Sequence, residues 1–471
     1  VKSAVIAVAA VILGLPSLRA LPVFPSHETD HFGRFGSVAI YRLSPHPRNV
    51  VLFISGDGGW NLGVIDMAVQ LSDLDSFVVG IDINHYRRAM AASHEKCSYS
   101  AADFEALSQY LQKKYGFPRY IPPVLVGYSS GATLAYALLV QAPRGTFEGA
   151  ISMGFCPDLE MPKPLCRGYG LEWKMDARHK SYVFLPDAKL NVPWIAFQGT
   201  VDKVCDYASV EAFVKRVGSG RIVLLPKVGH GFAVTRNWSA QFKEAFNSLV
   251  ERRVSTASPP ESADINGLPL EPIPSRINTS DEMAILVSGD GGWAGLDRDI
   301  GAALARRGIP VVGWNSLQYF WTRRTPAEAA LDLEHVILYY LAEWHKEKVL
   351  LIGYSRGADV LPFMVNRLPD SLLPRIRLLA LIGPSQSVDF EFHLSEWLGE
   401  FSHRNDLPVL PEVEKLTVKN VACLYGEEEN DSLCRRMDPN RIHRIALGGG
   451  HHFDGDYQAV AEVILKQAGL H

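Results

Sequence analysis

Two serines stand at the apex of the same short pattern, Gly127-Tyr128-Ser129-Ser130-Gly131 and Gly353-Tyr354-Ser355-Arg356-Gly357. Each follows an apolar run that reads as a buried strand, and each opens a helical pattern. Strand, Gly-x-Ser-x-Gly and helix in that order describe a nucleophile elbow. The glycines let the strand reverse, and the serine is left at the turn beside a helix N-terminus. A serine hydroxyl attacks only when a positioned base takes its proton and a carboxylate fixes the tautomer of that base. After an elbow these partners come in the order acid, then histidine. In the first half, Gln198-Gly199-Thr200-Val201-Asp202 ends a late strand and Val228-Gly229-His230-Gly231-Phe232 follows, giving Ser129, Asp202 and His230. In the second half, Gly448-Gly449-Gly450-His451-His452-Phe453 supplies His451 as the base for Ser355. Aligning Tyr425–Cys434 with Gln198–Cys205 through their final cysteines puts Asp431 opposite Asp202, with two residues inserted. Glu428 and Glu429 compete for that place, and His452 and Asp454 read as supporting residues.

Upstream of each elbow lies one hexapeptide, Ser55-Gly56-Asp57-Gly58-Gly59-Trp60 and Ser288-Gly289-Asp290-Gly291-Gly292-Trp293. It follows the first strand of its half, where an elbow enzyme builds part of its oxyanion hole; the residue after the serine, Ser130 or Arg356, supplies the second N–H. The glycines Gly56, Gly58, Gly289 and Gly291 would expose backbone donors. Asp57 and Asp290 cannot stabilise an oxyanion, so they are expected to brace the loop or to meet a positive substrate group. The lysine and spacing of a nucleotide-binding P-loop are missing. Trp314, Tyr319, Phe320 and Trp321 cluster after a strand end. They read either as an apolar substrate wall or, more commonly, as core.

Both motifs occurring twice, in the same order, implies two copies of one domain. Apolar strands alternate with helical patterns through both halves, which predicts two tandem α/β-hydrolase-like domains, each a mostly parallel sheet covered by helices. Residues 23–253 form the first expected domain, with an edge hairpin leading in. A Ser- and Pro-rich stretch, 254–282, reads as a linker holding a short lead-in strand near Leu268–Ile273, and 283–471 form the second domain. Thr325-Pro326-Ala327-Glu328 reads as a capping box with proline at the first helical position. Residues 1–20, one lysine followed by a short apolar run, are expected to be a cleaved secretory signal. Four cysteines in the first half and two in the second suit disulfides in an exported protein, Cys423–Cys434 bracketing one loop. A net charge of −4 with 21% charged residues argues against nucleic acid as a partner. No metal-binding spacing and no cofactor motif are present.

The SGDGGW loop, the GYS-x-GADVLPF elbow and Gly448–Tyr457 (GGGHHFDGDY) resemble the bacterial VirJ/AcvB virulence-protein family. The second half resembles the VirJ module, and the signal-plus-two-domain layout resembles AcvB. The resemblance implies a periplasmic α/β-hydrolase that hydrolyses aminoacylated phosphatidylglycerol, chiefly lysyl-phosphatidylglycerol, and an association with virulence and type IV secretion. Ser355 and His451 take the family's nucleophile and histidine. Arg356 stands where a bulky apolar residue is expected. For a lysyl ammonium, Asp290 and the run Glu427–Glu429 are the expected partners. The competing expectation is a non-catalytic periplasmic binding or chaperone protein for type IV secretion substrates.

Overall fold

Unbroken runs of Val, Ile, Leu and Phe predict strands buried on both faces, and in the computed structural model the central strands are buried along almost their whole length. The structure describes residues 27–176, 178, 180–256, 265–277, 280–392 and 406–470. The expected signal segment lies outside them. Among the described residues no helix is long and apolar enough to cross a membrane.

In the first half the strands are β1 (Glu28–Phe32), β2 (Gly36–Tyr41), β3 (Asn49–Ile54), β4 (Ser76–Ile81), β5 (Val124–Tyr128) and β6 (Gly149–Met153). A small antiparallel sheet follows, made of β7 (Asp158–Glu160), β8 (Trp173–Asp176) and β9 (Ser181–Phe184), before β10 (Trp194–Gly199) and β11 (Gly220–Leu225). The main sheet runs β1-β2-β4-β3-β5-β6-β10-β11, parallel except for the hairpin strands β1 and β2. The second half repeats this with β12 (Leu270–Ile273), β13 (Glu282–Val287), β14 (Val311–Trp314), β15 (Lys348–Tyr354) and β16 (Ile376–Ile382). After the short pair β17 (Ser387–Val388) and β18 (Leu407–Pro408) come β19 (Val421–Gly426) and β20 (His443–Leu447). Its order, β12-β14-β13-β15-β16-β19-β20, superposes in sequence logic on the first sheet without β1. β12 pairs antiparallel with β14, so the second domain begins inside the stretch expected as linker. The lead-in strand is an edge of its sheet.

Helices α1 (Leu62–Ser72), α2 (Ile83–Ala92), α3 (Ser100–Lys114), α4 (Ser130–Gln141), α5 (Tyr207–Val214) and α6 (Ser239–Thr256) cover the first sheet. Helices α7 (Gly295–Arg306), α8 (Ser316–Tyr319), α9 (Pro326–Glu343) and α10 (Arg356–Val365), with the C-terminal helix Tyr457–Ala468, cover the second. The capping box at Thr325 forms with Glu328, Pro326 following the cap. The tryptophan of each hexapeptide lies on a facing strand: a Cβ on Gly80 would stand 2.0 Å from Trp60, and one on Gly313 2.3 Å from Trp293. All six cysteines are paired, as Cys97–Cys166, Cys156–Cys205 and Cys423–Cys434.

The halves are joined by interlocked side chains. Trp321 Nε1 donates to Phe117 O at 2.7 Å, its ring packs with Tyr120, Phe392 and Leu317, and Lys113 pairs with Glu391 at 3.2 Å. The aromatic cluster Trp314, Tyr319, Phe320 and Trp321 is therefore core and interface, all four rings being buried. On another side of the interface, the Tyr169 and Tyr457 hydroxyls are 3.1 Å apart. Tyr169 enters only because residue 295 is glycine: a Cβ there would stand 2.2 Å from the Tyr169 hydroxyl.

Candidate active sites

Each elbow serine sits between a buried strand and a helix, with φ/ψ of 54/−120° at Ser129 and 51/−118° at Ser355. Side chains rarely adopt positive φ, and here it is held by the parallel sheet: Ser129 N donates to Met153 O and Ser355 N to Ile382 O, both at 2.8 Å. Ser130 and Arg356 open α4 and α10, at positions whose N–H groups the helix itself does not use. The hexapeptide loop lies against each serine, a Cβ on Gly56 or Gly289 standing 3.0 and 3.3 Å from the serine Cβ. Its seryl hydroxyl holds the next turn, Ser55 accepting from Ile83 N and Ser288 from Ser316 N.

In the first half Ser129 Oγ lies 2.9 Å from His230 Nε2, and His230 Nδ1 lies 2.8 Å from Asp202 Oδ2. The Asp202 carboxylate is fully buried and accepts three further hydrogen bonds, from Gln198 Nε2 and from the backbone of Val204 and Cys205. The Cys156–Cys205 disulfide ties that loop to the strand end after β6. Among the described residues one trio, Asp202, Cys205 and His230, has metal-ligating atoms within 4.8 Å of one another. Cys205 is oxidised in its disulfide, which leaves two ligands where a stable site needs three or four.

In the second half the acid is Glu429, not Asp431. Glu429 Oε1 lies 2.6 Å from His451 Nδ1, and its Oε2 accepts from Gly426 N at 2.7 Å. Asp431 is exposed, and its backbone carbonyl accepts from Gln386. Both acids stand three residues after the glycine that ends their strand, and both close the same turn, Asp202 N to Gly199 O and Glu429 N to Gly426 O. The inserted residues fall after the acid, so an alignment anchored on Cys205 and Cys434 overshoots it. Those two strand-end glycines carry the register: a Cβ would meet Val228 O at 2.1 Å on Gly199 and Gly450 O at 2.3 Å on Gly426. Glu427 and Glu428 are exposed. Among the described residues, no hydrogen bond joins Ser355 to His451. Tyr354 OH meets His452 Nδ1 at 3.1 Å.

Two residues that sequence reading passed over set the histidines. Gly154 (φ +67°) follows β6 and Gly383 (φ +58°) follows β16; a Cβ would stand 3.2 Å from the His230 ring and 2.7 Å from the His451 ring. Their signal is visible only once the halves are aligned, as a glycine directly after the strand beside the elbow.

The loop aspartates differ. Asp57 pairs with Arg87 of α2 at 2.6 Å. Asp290 pairs with Arg356, which is itself buried and also donates to Asp389 O and Glu391 O. Asp290 thus braces the loop against the elbow, which accounts for an arginine after the second serine.

The spaces in front of the serines differ more. Ser129 borders a recess of about 290 Å³ with Asp57, Asn61 and Tyr128. Ser355 and His451 border one of about 960 Å³ that lies between the halves. The second domain gives it the Gly289–Gly292 loop, α7 and Tyr457; the first gives it Tyr99, Glu105 and Tyr169. The first-domain wall is fixed by Gln141, which accepts from Ala101 N and donates to Ser98 O and Cys166 O, and by the Cys97–Cys166 bridge.

A parallel sheet in this strand order, with a strained serine between strand and helix and an acid and a histidine on the following loops, is an α/β-hydrolase fold, present twice. The chain matches the family described as bacterial virulence protein (VirJ) over residues 48–148 and 281–470. That is more than half of its length, and the chain belongs to this family. Among curated proteins none matches it. Solved structures similar to it include a native esterase 2 from Thermogutta terrifontis, 15% identical with a TM-score of 0.35, covering 52% of this chain and 99% of that one. The same enzyme phosphorylated by paraoxon is 16% identical with a TM-score of 0.33, covering 52% of this chain and 100% of that one. XC6422 from Xanthomonas campestris, titled a member of a/b serine hydrolase without lid, is 20% identical with a TM-score of 0.32, covering 51% and 99%.

Proposed function

We propose that this chain is a periplasmic serine hydrolase that cleaves the aminoacyl ester of aminoacylated phosphatidylglycerol, lysyl-phosphatidylglycerol above all, and that Ser355 does the work. The observation carrying the assignment to Ser355 is the interdomain recess: about 960 Å³ in front of Ser355 and His451 against about 290 Å³ in front of Ser129. Ligand sites that hold a whole small molecule run from roughly 300 to 1,000 Å³, so the space at Ser355 has ample room for an aminoacyl-glycerol head and the one at Ser129 sits at the lower edge of that range.

In this reading His451, its tautomer fixed by Glu429, draws in the Ser355 hydroxyl and takes its proton as Oγ attacks the ester carbonyl. The oxyanion forms between the glycine loop and the N-terminus of α10. His451 returns the proton to the leaving glycerol oxygen, and water then releases the amino acid from the acyl-enzyme. The first domain serves as a wall of the recess, and its own triad runs separate esterase chemistry on small substrates. Envelope homeostasis and virulence are the physiological setting this activity fits, type IV secretion components being the partners in prospect. A fluorophosphonate probe tests the chemistry: wild type and Ser129→Ala should label at Ser355, and Ser355→Ala should not label there. A chain that labels at neither serine would instead be a binding or chaperone protein.

A further inference from the structure

The recess in front of Ser355 holds a buried carboxylate with no partner. Glu105, on α3 of the first domain, is 8% exposed and lines the recess. Its carboxylate makes no hydrogen bond or ion pair to any described residue. Asp297, in the first turn of α7 of the second domain, lines the same space; its Oδ1 has no hydrogen-bond partner, but its carboxylate is held by the backbone of Ala294 and of Asp297 itself. Asp299 and Asp454 border the space too, and no lysine or arginine is among the described residues that line it. A buried carboxylate is normally paired, because leaving it unpaired costs the full desolvation of the group. Burial alone pushes the Glu105 carboxyl up to about 8, with no cation nearby to offset it; burial also holds Asp297 well above the ordinary carboxylate range, against backbone hydrogen bonds and Arg298 that lower it.

We infer that Glu105, supplied by the first domain, is the cation-binding residue of this recess, which receives a primary ammonium on the substrate and so sets specificity at Ser355. The inference rests on the aminoacyl-ester reading for the identity of the substrate but not for the recognition of the cation. It gives the first domain a role in the second site's chemistry: it supplies the charge that selects a lysyl side chain over a neutral one. It also replaces Asp290 and the Glu427–Glu429 run as the ammonium's partners, since Asp290 is committed to Arg356 and Glu429 to His451. Glu427 and Glu428 are exposed and are not among the residues lining the recess.

The test uses the full chain carrying Ser355→Ala, so that binding is read without turnover. Calorimetric titration with lysinamide and with norleucinamide, which lacks only the side-chain ammonium, should show lysinamide bound about tenfold or more tighter, the scale expected for a buried charge pair. Adding Glu105→Gln, nearly isosteric, should remove most of that preference at unchanged far-ultraviolet circular dichroism, whereas Asp297→Asn should keep most of it. No preference in the parent, or a preference untouched by Glu105→Gln, overturns the subsite. If the preference is found but lysyl-phosphatidylglycerol is not hydrolysed by wild type, the cation site stands and the lipid assignment falls.

Discussion

The two halves carry the same elbow and the same loop, yet one has the better-ordered triad and the other has the better pocket. In the first half serine, histidine and aspartate are hydrogen-bonded in series, with the acid fully buried and His230 18% exposed. In the second the acid and histidine are more open, at 16% and 37%, and Ser355 is not yet on its base. Catalytic hydrogen bonds commonly tighten only when substrate closes the site. The comparison teaches that a formed triad and a usable site are separate properties, and that the first is retained here where the second is small.

The largest expected effect separates Glu429 from Asp431. Glu429→Gln should lower kcat at the second site by about 10⁴-fold, the scale for an acid-to-amide change that leaves the wrong histidine tautomer. Asp431→Asn should change it less than about twofold, as expected for an exposed side chain away from the reaction. Single-turnover rates in mixed micelles read both, and the opposite ranking would restore Asp431. Next is Gly383→Ala, whose Cβ must push the His451 ring away. A displacement near 1 Å costs on the order of 10²-fold, so that loss is expected, with Gly154→Ala at the first site milder because its contact is 3.2 Å rather than 2.7 Å. Ester hydrolysis assayed at each serine separately tests the ranking.

A smaller effect crosses between domains. Removing the Cys97–Cys166 bridge by paired alanine substitution loosens the wall that carries Tyr99, Glu105 and Tyr169. It should raise KM at Ser355 several-fold while kcat holds, and should lower stability by about 2–5 kcal/mol. A loss confined to Ser129 chemistry would detach the first domain from the second site. The smallest effect is a pH slope. The Glu105 carboxyl sits at about 8 in the folded chain, above its ordinary value of 4.5, with Tyr99 and Tyr120 coupled to its charge. Between those pH values the folded state holds a proton that the unfolded state has released, so this group's contribution to stability falls as pH rises through the window. Glu105→Gln should match wild type in melting temperature near pH 4 to 5 and exceed it increasingly towards pH 8; a constant offset would remove the argument.

Local pattern reveals most of the architecture. The strand runs, the elbows and the capping box at Thr325 are properties of neighbouring residues, and duplication doubles each signal. The acid of the second site was harder to place, because the carboxylates at 427, 428, 429 and 431 differ only in position along one turn. The strand-end glycine, fixed by its contact with the histidine loop, resolves them; the disulfide cysteine beyond the insertion does not. The recess was not legible at all. Glu105 reads as an ordinary helical glutamate until α3 and α7, far apart in sequence, are seen to line one recess. The aromatic run at Trp314–Trp321 is core, the commoner reading of such a cluster, and what local pattern does not show is that Trp321 packs on the first domain.

The central claim is that Ser355, in the space both domains build, is the serine that turns over aminoacyl lipid. It is tested most directly by the hydrolysis of lysyl-phosphatidylglycerol in mixed micelles by Ser355→Ala and Ser129→Ala, each checked for an unchanged melting temperature. Ser355→Ala should fall to the residual rate that binding and the oxyanion site leave behind, a loss on the order of 10⁶-fold in a well-studied serine enzyme, while Ser129→Ala keeps most of the activity. Retention by Ser355→Ala with loss by Ser129→Ala would contradict the account and move the reaction to the smaller site.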